Sequence, residues 1–469
     1  MLSLYNTLTK SKEELKPLES GKIKMYVCGP TVYDYFHIGN ARSFINSDFI
    51  RKYLEYRGYE VTFAMNLTDI DDKIIKKANS EGVEANDIAK KYTTAFMEDI
   101  HRLNVKPATI YPKATEHIPE IIELTQKLIT NGFAYESNGD VFFEIDKFQG
   151  YGKLSGKHLE DLVEGARVEV NSSKKSPLDF ALWKSAKPGE PSWESPWGNG
   201  RPGWHIECSA MSCKHLGETF DIHAGGNDLI FPHHENEIAQ SEAANSKQFV
   251  KYWLHFGFLN INDEKMSKSL GNFFTARDLL KVYSAETLRF FFAQTHYGAP
   301  LNFSDEGLDG AKKGLKKLDN LIERIKELSN DIEIKDNGAV SNFADFIRLF
   351  EEAMDDDFNT PKACGVLFDF LKEANRKLDT QVGIDGKLLF DIKSFISATA
   401  VDIFGFTSFN KVVESSNSLE NELIELLISV RTESKKAKQF QLADYIRDEM
   451  KKLGISLKDT KEKTTFSKD

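Results

Sequence analysis

Hydrophobic and polar residues alternate along the start of the chain in a pattern that predicts strand, helix and strand in turn. Apolar runs over residues 23–28 and 60–65 are rich in β-branched and aromatic residues, which predicts buried strands. Between them, residues 41–58 have the apolar spacing of a helix that ends at a glycine. These three elements predict a βαβ unit of a parallel sheet. Residues 71–82 predict a second helix.

Further along, the pattern changes twice. Residues 116–131 predict an amphipathic helix, and a hairpin pattern follows it. Residues 183–204 hold four of the five tryptophans with little periodicity, which predicts an irregular lid or binding loop. The sheet pattern resumes near Phe220 and Trp253, and from Leu308 onward the spacing is mostly helical.

The length of 469 residues exceeds what one core supports, so several domains are expected. We predict an α/β protein with a Rossmann-like parallel-sheet domain, an insertion, a helical bundle and a small terminal module. The predicted bounds are 1–115 and 201–272 for the sheet domain, 116–200 for the insertion, 273–330 for a connecting region, 331–405 for the bundle and 406–469 for the terminal module. The lysine-rich last dozen residues are expected to be disordered.

Composition narrows the class of protein. No apolar run approaches the ~20 residues that span a bilayer, so no membrane partner is expected. The first fifteen residues lack a basic start and a long apolar stretch, so no signal peptide is expected. Four cysteines do not make a disulfide framework, and a reducing cytoplasm is the expected location.

Charge gives a weaker indication. The net charge of −11 argues against a general nucleic-acid binder. Residues 431–469 contain 11 Lys and Arg against 7 Asp and Glu, a local net charge of +4. This basic tail is typical either of a polyanionic partner or of a solvated helix face.

Cysteine, histidine and glutamate occur in a combination that suits zinc. The candidate ligands are Cys28, Cys208, His233 and Glu237. His233 and Glu237 are four residues apart, so on a helix they share a face. His234 is a rival ligand at a spacing of three, and the pattern does not exclude it. Cys213 and Cys364 are expected to be ordinary buried residues.

Two short motifs suit a nucleotide. HIGN, His37 to Asn40, lies where a strand passes into a helix, and backbone N–H groups at a helix start attract phosphate. KMSKS, residues 265–269, places two lysines three apart in a loop, which suits a mobile clamp on a triphosphate. Taken alone, HIGN is better explained by a turn without a ligand, whereas KMSKS fits a phosphate clamp and an exposed basic loop equally well.

Taken together, the two motifs resemble the paired signatures of class I aminoacyl-tRNA synthetases. The segments CGPTVYDYFHIGNAR, NLTDIDDKI, GWHIECSAMS, DIHAGGNDLIFPHHENEIAQ and EKMSKSLGNF are similar to those of cysteinyl-tRNA synthetases. DDFNTPKA and ADYIRDEMKKLGISLKDT extend the resemblance to the C-terminus. The chain departs from the family pattern at Asn40, where a histidine is usual, and at Phe466, where a tryptophan is expected.

The resemblance implies a catalytic domain with a connective insertion, a stem-contact region and an anticodon-binding terminal module. It implies ATP-dependent activation of L-cysteine and transfer to the terminal adenosine of tRNA(Cys), with Mg²⁺ accompanying ATP. It also implies one Zn²⁺ per subunit, held by the four candidate ligands, which recognises the substrate thiolate. A cytoplasmic monomer is expected.

The resemblance also assigns roles to single residues. ATP binding falls to Gly29, Thr31, His37, Gly39, Asn40, Lys265, Ser267 and Lys268. Catalysis falls to His37, Asn40, Lys265 and Lys268. The amino acid is expected near Thr68, Trp204, His223 and Asp228. Arg431, Asp444 and Arg447 are candidates for reading the anticodon.

Two other functions compete with this hypothesis. A cysteine–amino-sugar ligase of mycothiol synthesis shares the zinc pocket and the ATP motifs, but it lacks the anticodon-binding region. The helical and basic portion over residues 330–469 argues against it. A non-catalytic zinc-containing RNA-binding protein is the second alternative, and it has no need of a pyrophosphate clamp.

Overall fold

The computed structural model describes residues 1–157, 173–261, 264–265, 274–380, 384–407, 418–459 and 464–468, with backbone alone at 264–265, 418–422 and 467–468. The strands are β1 (Ser3–Asn6), β2 (Ser11–Glu14), β3 (Lys22–Val27), β4 (Glu60–Met65), β5 (Ala134–Ser137), β6 (Asp140–Phe143), β7 (Phe180–Ser185), β8 (Gly200–Pro202), β9 (Phe220–Gly226), β10 (Val250–Phe256), β11 (Leu259–Ile261), β12 (Glu264–Lys265), β13 (Leu301–Phe303), β14 (Ile455–Asp459) and β15 (Thr464–Lys468). The helices are α1 (Ile38–Tyr56), α2 (Asp72–Glu81), α3 (Ala85–Arg102), α4 (Ile118–Thr130), α5 (Trp204–Leu216), α6 (Glu235–Asn245), α7 (Ala276–Leu279), α8 (Ala285–Ala293), α9 (Asp305–Leu328), α10 (Ala344–Asp355), α11 (Thr360–Thr380), α12 (Gly386–Ile396), α13 (Ser418–Lys436) and α14 (Phe440–Lys452). Two compact units divide the chain, Met1–Thr407 and Ser408–Asp469.

Four parallel strands form the central sheet of the first unit, in the order β10-β9-β3-β4. The chain passes from β3 to β4 through α1 and from β9 to β10 through α6. The predicted βαβ unit at the start of the chain is therefore confirmed, with β3 and β4 paired in parallel. Most strand residues are buried, because a parallel sheet carries helices on both faces.

Helix α1 crosses the sheet and is buried along most of its length. Of its 19 residues, 13 are buried, and these include polar side chains such as Arg42 and Asp48. A surface helix would keep such residues on its wet face. In α1 they instead bind other parts of the fold, and Arg289 on α8 donates to Asp48 Oδ2 at 2.6 Å.

The insertion contains a second, antiparallel sheet in the order β5-β6-β7-β8, together with α4. Its apolar core is continuous with Ile206 and Ala210 on α5, so the insertion packs against the helix that follows it. The prediction of an irregular segment over residues 183–204 was wrong at both ends, which form β7 and β8. Trp183 is fully buried there, because the antiparallel pairing turns this tryptophan into core.

The turn between α10 and α11 connects the helical bundle to the N-terminal strand. Asp357 and Phe358 have φ angles of 61° and 49°, which are unusual for residues with side chains. The Asp357 N–H donates to the Ser3 carbonyl at 2.9 Å. Its carboxylate accepts from the Tyr5 N–H at 2.8 Å and from the Tyr297 hydroxyl at 2.6 Å. These contacts favour the strained backbone over its alternatives.

The second unit consists of α13, α14 and an antiparallel strand pair, β14 and β15. The prediction of a disordered C-terminus was wrong for residues 464–468, which form β15. Phe466 on β15 lies opposite Leu457 on β14. This cross-strand pair favours strand structure even though the surrounding sequence is rich in lysine. Among the described residues of both units, none of the helices combines the length and apolar character of a membrane span.

Candidate active site at the carboxyl edge of the sheet

The candidate site lies where β3 and β9 run side by side and their following helices depart. Chain connections lead from β3 towards β4 and from β9 towards β10, in opposite directions across the sheet. In open α/β sheets such a switch point forms a crevice beyond the carboxyl ends of the strands. Cys28 follows β3, and its N–H donates to the Ala224 carbonyl on β9 at 3.1 Å.

The four predicted zinc ligands come together at this edge. They are Cys28, Cys208, His233 and Glu237, and their ligand atoms all lie within 4.8 Å of one another. Cys208 is on α5, Glu237 is on α6, and His233 is in the kinked turn Ile230–His234 that precedes α6. His233 Nε2 lies 3.1 Å from Glu237 Oε1, as their spacing of four predicts.

A second set of potential ligands shares two members with the first. Cys28 and Glu237 also cluster with His223 and His234. His223 Nε2 lies 2.9 Å from Glu237 Oε2, and His234 Nε2 lies 3.3 Å from Cys28 Sγ. The other ring nitrogen of His234 faces His255 Nε2 at 2.8 Å. His234 is therefore adjacent to the first set, and its second ring nitrogen faces His255. This arrangement is typical of a residue that orients metal ligands.

The charges of the cluster suit a cation. Burial raises the pKa of the Cys28 thiol, and the neighbouring Cys208 raises it further. Burial also acts to raise the pKa of Glu237, but His223 and His233 overcome it and lower the pKa to about 2. The pKa of His233 is raised, against burial, chiefly by Glu237. The charge of His233 thus balances that of the buried Glu237 carboxylate, a balance that a divalent metal with sulfur, nitrogen and oxygen ligands can provide.

The HIGN segment forms the start of α1. His37 is the N-cap, and its Nδ1 accepts from the Asn40 backbone N–H at 3.2 Å. Asn40 Oδ1 accepts in return from the His37 N–H at 3.4 Å, which completes a capping box. No acidic residue lies in the first turn, and Gly39 lies within it, so no side chain of that turn opposes an anion at the positive end of the helix dipole.

Gly29 is required by packing between strand ends. A Cβ at this position would lie 1.8 Å from the Asn66 carbonyl oxygen. The Gly29 N–H also donates to Asn66 Oδ1 at 2.9 Å. Thr31, two residues on, forms a parallel bridge with Thr68. This loop therefore fastens the carboxyl end of β3 to that of β4, directly beside Cys28.

Thr68 faces α5 from the end of β4. It is buried, and its hydroxyl donates to Glu207 Oε2 at 3.1 Å. Burial raises the pKa of Glu207 well above its usual range. The contact places Thr68 beside the residue that precedes Cys208, and so close to the predicted ligands.

Two of the other three predicted substrate residues lie at the cluster. Trp204 is 38% exposed and stacks on the His233 ring, with 4.3 Å between ring centroids. Trp204 is therefore not a core residue, because more than a third of its surface is exposed. His223 is fully buried beside Glu237. Asp228 is exposed in the short turn Asn227–Leu229 that follows β9, and no described contact joins it to the cluster.

Most of KMSKS lies outside the described residues, including Ser267 and Lys268. Lys265 is described for its backbone alone, as the second residue of β12. The described chain beyond the motif returns to α1, because the Ile38 N–H donates to the Phe274 carbonyl at 3.1 Å and the Ala276 N–H donates to the Phe36 carbonyl at 3.1 Å.

Sequence reasoning missed several polar neighbours of the cluster. His205 Nδ1 lies 2.9 Å from His233 Nδ1, and the ring of the buried Tyr26 packs edge-on against His223, with 5.1 Å between ring centroids. His255 continues the histidine row behind His234. The signal for His255 was one histidine on each of β9 and β10, since parallel pairing of these strands brings His223 and His255 to the same part of the sheet.

The C-terminal unit changes one expectation about the anticodon. Arg431 is buried, and its guanidinium donates to both oxygens of Asp459 at 2.9 Å. This geometry fits a structural ion pair within the unit. Arg447 and Asp444, which are exposed and pair with each other at 3.0 Å, remain candidates for reading RNA.

Comparisons with known proteins identify the family. Residues 14–313 match the tRNA synthetases class I (C) catalytic domain, and residues 349–409 match the DALR domain. The cysteine–tRNA ligase of Carboxydothermus hydrogenoformans is 52% identical over 98% of this chain and 98% of the relative. That of Thermococcus onnurineus is 52% identical over 100% of this chain and 99% of the relative. The chain belongs to the cysteine–tRNA ligase family.

Solved structures of other synthetases share the fold of this cysteine–tRNA ligase family member. Methionyl-tRNA synthetase of Mycobacterium tuberculosis, in complex with methionyl-adenylate, has a TM-score of 0.61 at 16% identity and covers 81% of this chain and 89% of its own. The Agrobacterium radiobacter K84 LeuRS–tRNA–LeuAMS complex has a TM-score of 0.60 at 10% identity, over 95% of each chain. The predicted α/β class I fold is therefore confirmed.

Proposed function

We propose that this enzyme uses the four-ligand cluster to bind one zinc ion and, through it, the thiolate of L-cysteine. Ligation of cysteine to tRNA follows from family membership. The convergence of two thiols, an imidazole and a carboxylate within 4.8 Å, where Cys28 follows β3, is the observation that carries the proposal. Two sulfur ligands with nitrogen and oxygen favour zinc over magnesium or calcium.

Such a site answers a problem of selectivity. Serine and alanine differ from cysteine by one small group, and shape alone discriminates such a difference by about 10–200-fold. When bound, zinc supplies a thiolate-selective Lewis acid. The chain supplies a buried set of ligands, with Trp204 stacked on His233 at its exposed side. Water is thereby partly excluded from the position that the substrate sulfur would occupy.

Activation needs the cysteine carboxylate to meet the α-phosphate of ATP. A carboxylate oxygen attacks that phosphorus, the bond to the bridging oxygen breaks, and pyrophosphate leaves. His37, Gly39 and Asn40 would hold phosphate at the start of α1, and Lys265, Ser267 and Lys268 would bind the departing charge, with Mg²⁺ accompanying ATP. The cysteinyl group then passes to a ribose hydroxyl of the terminal adenosine of tRNA(Cys), and AMP leaves.

The remaining assignments follow the same geometry. Thr68 and His223 would line the amino-acid pocket from β4 and β9, and Asp228 would pair with the substrate ammonium group from its exposed turn. We propose a cytoplasmic location, because all four cysteines are free and the ligand thiols must stay reduced. We further propose that the enzyme is a monomer.

Cysteine-dependent exchange of labelled pyrophosphate into ATP tests activation, and charging of tRNA(Cys) tests transfer. We expect exchange with cysteine and with no other amino acid. Exchange without tRNA charging would favour the amino-sugar ligase. Absence of exchange with every amino acid would contradict the catalytic proposal.

Cys208→Ser tests the metal, with Cys213→Ser as its matched control. Both residues are on α5, but Cys213 lies outside the cluster. Loss of a ligand exceeds the roughly 10–100-fold loss of metal affinity caused by a supporting residue. We therefore expect Cys208→Ser to lose zinc and to raise the KM for cysteine at least 100-fold, about the upper end of that range, with little change in the KM for ATP. Normal zinc content and a normal KM for cysteine in Cys208→Ser would show that the ligands are misassigned.

A further inference from the structure

Arg42 is a buried cation whose described partners are all carbonyl groups. It lies on α1, two residues after Asn40, and its side chain is fully enclosed. The guanidinium donates to the carbonyls of Gly257 at 2.8 Å, Phe258 at 3.0 Å, His296 at 3.2 Å and Ala299 at 2.7 Å. No carboxylate contacts it among the described residues. Burying a cation in this way costs more than filling the space with an apolar side chain.

The four carbonyls belong to two segments that converge on the ATP motifs. Residues 257–258 join β10 to β11, and residues 296–299 precede β13. β11 pairs with β13 on one side and with β12, which contains Lys265, on the other. A Cβ on Gly257 would lie 2.2 Å from the Ala299 carbonyl oxygen, so the two segments touch beside the guanidinium.

The start of α1 thus contacts the chain on both sides of KMSKS. Arg42 holds the segment that leads into β11 and β12. The backbone bonds of Ile38 and Phe36 hold residues 274–276, which follow the motif. All of these contacts originate within seven residues, 36–42, and this stretch includes His37 and Asn40.

We propose that Arg42 is a positioning residue for cysteine activation, and that its guanidinium sets the distance between the HIGN turn and the strands leading to KMSKS. The proposal rests on the proposed function, which assigns both HIGN and KMSKS to the binding of ATP. A planar guanidinium offers five fixed N–H donors and satisfies four carbonyls on two segments at once. A lysine ammonium offers three donors from one point and leaves at least one carbonyl unpaired. Misplacement of reacting groups by about 1 Å costs about 100-fold in rate.

Arg42→Lys keeps the charge and removes the fork, so it is the principal test. We expect kcat for cysteine-dependent ATP–pyrophosphate exchange to fall by about 100-fold, while zinc content and the KM for cysteine stay at wild-type values. Arg289→Lys is the matched control, because Arg289 is equally buried, contacts α1 through Asp48 and donates to backbone carbonyls. It should lower the unfolding temperature without changing exchange kinetics below that temperature.

Gly257→Ala is a second test if Arg42→Lys folds poorly. It should also change the distance between the HIGN turn and the strands leading to KMSKS. It pushes the two segments apart while Arg42 stays an arginine, and we expect the same fall in kcat with an unchanged KM for cysteine. Wild-type exchange in Arg42→Lys or in Gly257→Ala would overturn the proposal. Joint loss of zinc, cysteine affinity and kcat would also overturn it, since this pattern marks general collapse. Failure of the wild-type protein to exchange would instead count against the proposed function.

Discussion

Gly29→Ala tests whether packing at the strand ends builds the candidate site. The added methyl carbon would lie 1.8 Å from the Asn66 carbonyl oxygen, whereas such contacts become ordinary at about 3.4 Å. The ends of β3 and β4 must therefore separate by about 1.6 Å, the difference between these distances. Backbone atoms on both sides leave no flexible side chain to give way. Overpacking of this kind costs about 1–3 kcal/mol.

Gly29→Ala should weaken zinc binding more than it lowers the stability of the fold. Cys28 adjoins Gly29, and metal–ligand distances tolerate changes of about 0.2 Å. We expect Gly29→Ala to lose most of its zinc during gel filtration and to lower kcat for pyrophosphate exchange by about 100-fold. Zinc per chain, exchange kinetics and thermal unfolding are measured on the same preparation.

Gly365→Ala is the matched control for this change. Gly365 lies within α11, where an added Cβ meets nothing within 4 Å. The same substitution should raise stability there by about 0.5–1 kcal/mol, since alanine favours a helix interior. If Gly29→Ala kept its zinc and raised only the KM for ATP, the glycine would serve nucleotide contact, and the packing explanation would be refuted.

Two further predictions concern Asn40 and Asp459. Asn40→Asp preserves the cap acceptor but replaces amide donors with an anion, so it should lower the exchange rate by about 100–1,000-fold without lowering the unfolding temperature, while Asn40→His should stay near wild type. Equal activity of the two variants would rule out phosphate donation. Arg431 and Lys435 hold the pKa of Asp459 well below its usual range, so its stabilising effect is complete above the ordinary carboxyl pKa and is lost as pH falls below it. The hydrogen-exchange protection factors of α13 and α14 should therefore fall below about pH 4. Asp459→Asn should flatten that dependence, and unchanged acid sensitivity in the variant would contradict the prediction.

The sequence-based predictions succeeded where the signal was local. The strands around Ile23 and Val61 were evident from apolar runs, and the spacing of His233 and Glu237 was evident from helical geometry. Cys28 and Cys208 joined the same cluster at a separation of 180 residues. Their residue types suggested a common zinc site and the resemblance supported it, because spacing alone does not reveal which strand edges meet.

The failures arose where pairing or burial, and not the local residue pattern, decides the environment of a residue. Trp183 is buried because β7 pairs with β6 and β8. Residues 464–468 of the lysine-rich terminus form a strand because they pair with β14. The ion pair of the buried Arg431 with Asp459 was likewise not evident from the local pattern. His205 and His255 drew no attention, because their partners come from other elements.

The bond between the Asp357 turn and the N-terminal strand has a consequence for synthesis of the chain. Ser3 and the turn are separated by more than 350 residues, since the contacts of Tyr5 with Asp357 span 352 positions. Translation proceeds at roughly 5–20 residues per second, so the first strand waits roughly 20–70 s for this partner. During that interval the buried residues Leu2 and Leu4 lack their final surroundings. The N-terminal strand is thus among the last parts of the first unit to reach its final contacts. A chain truncated before the Asp357 turn would lack the hydrogen bonds that hold this strand.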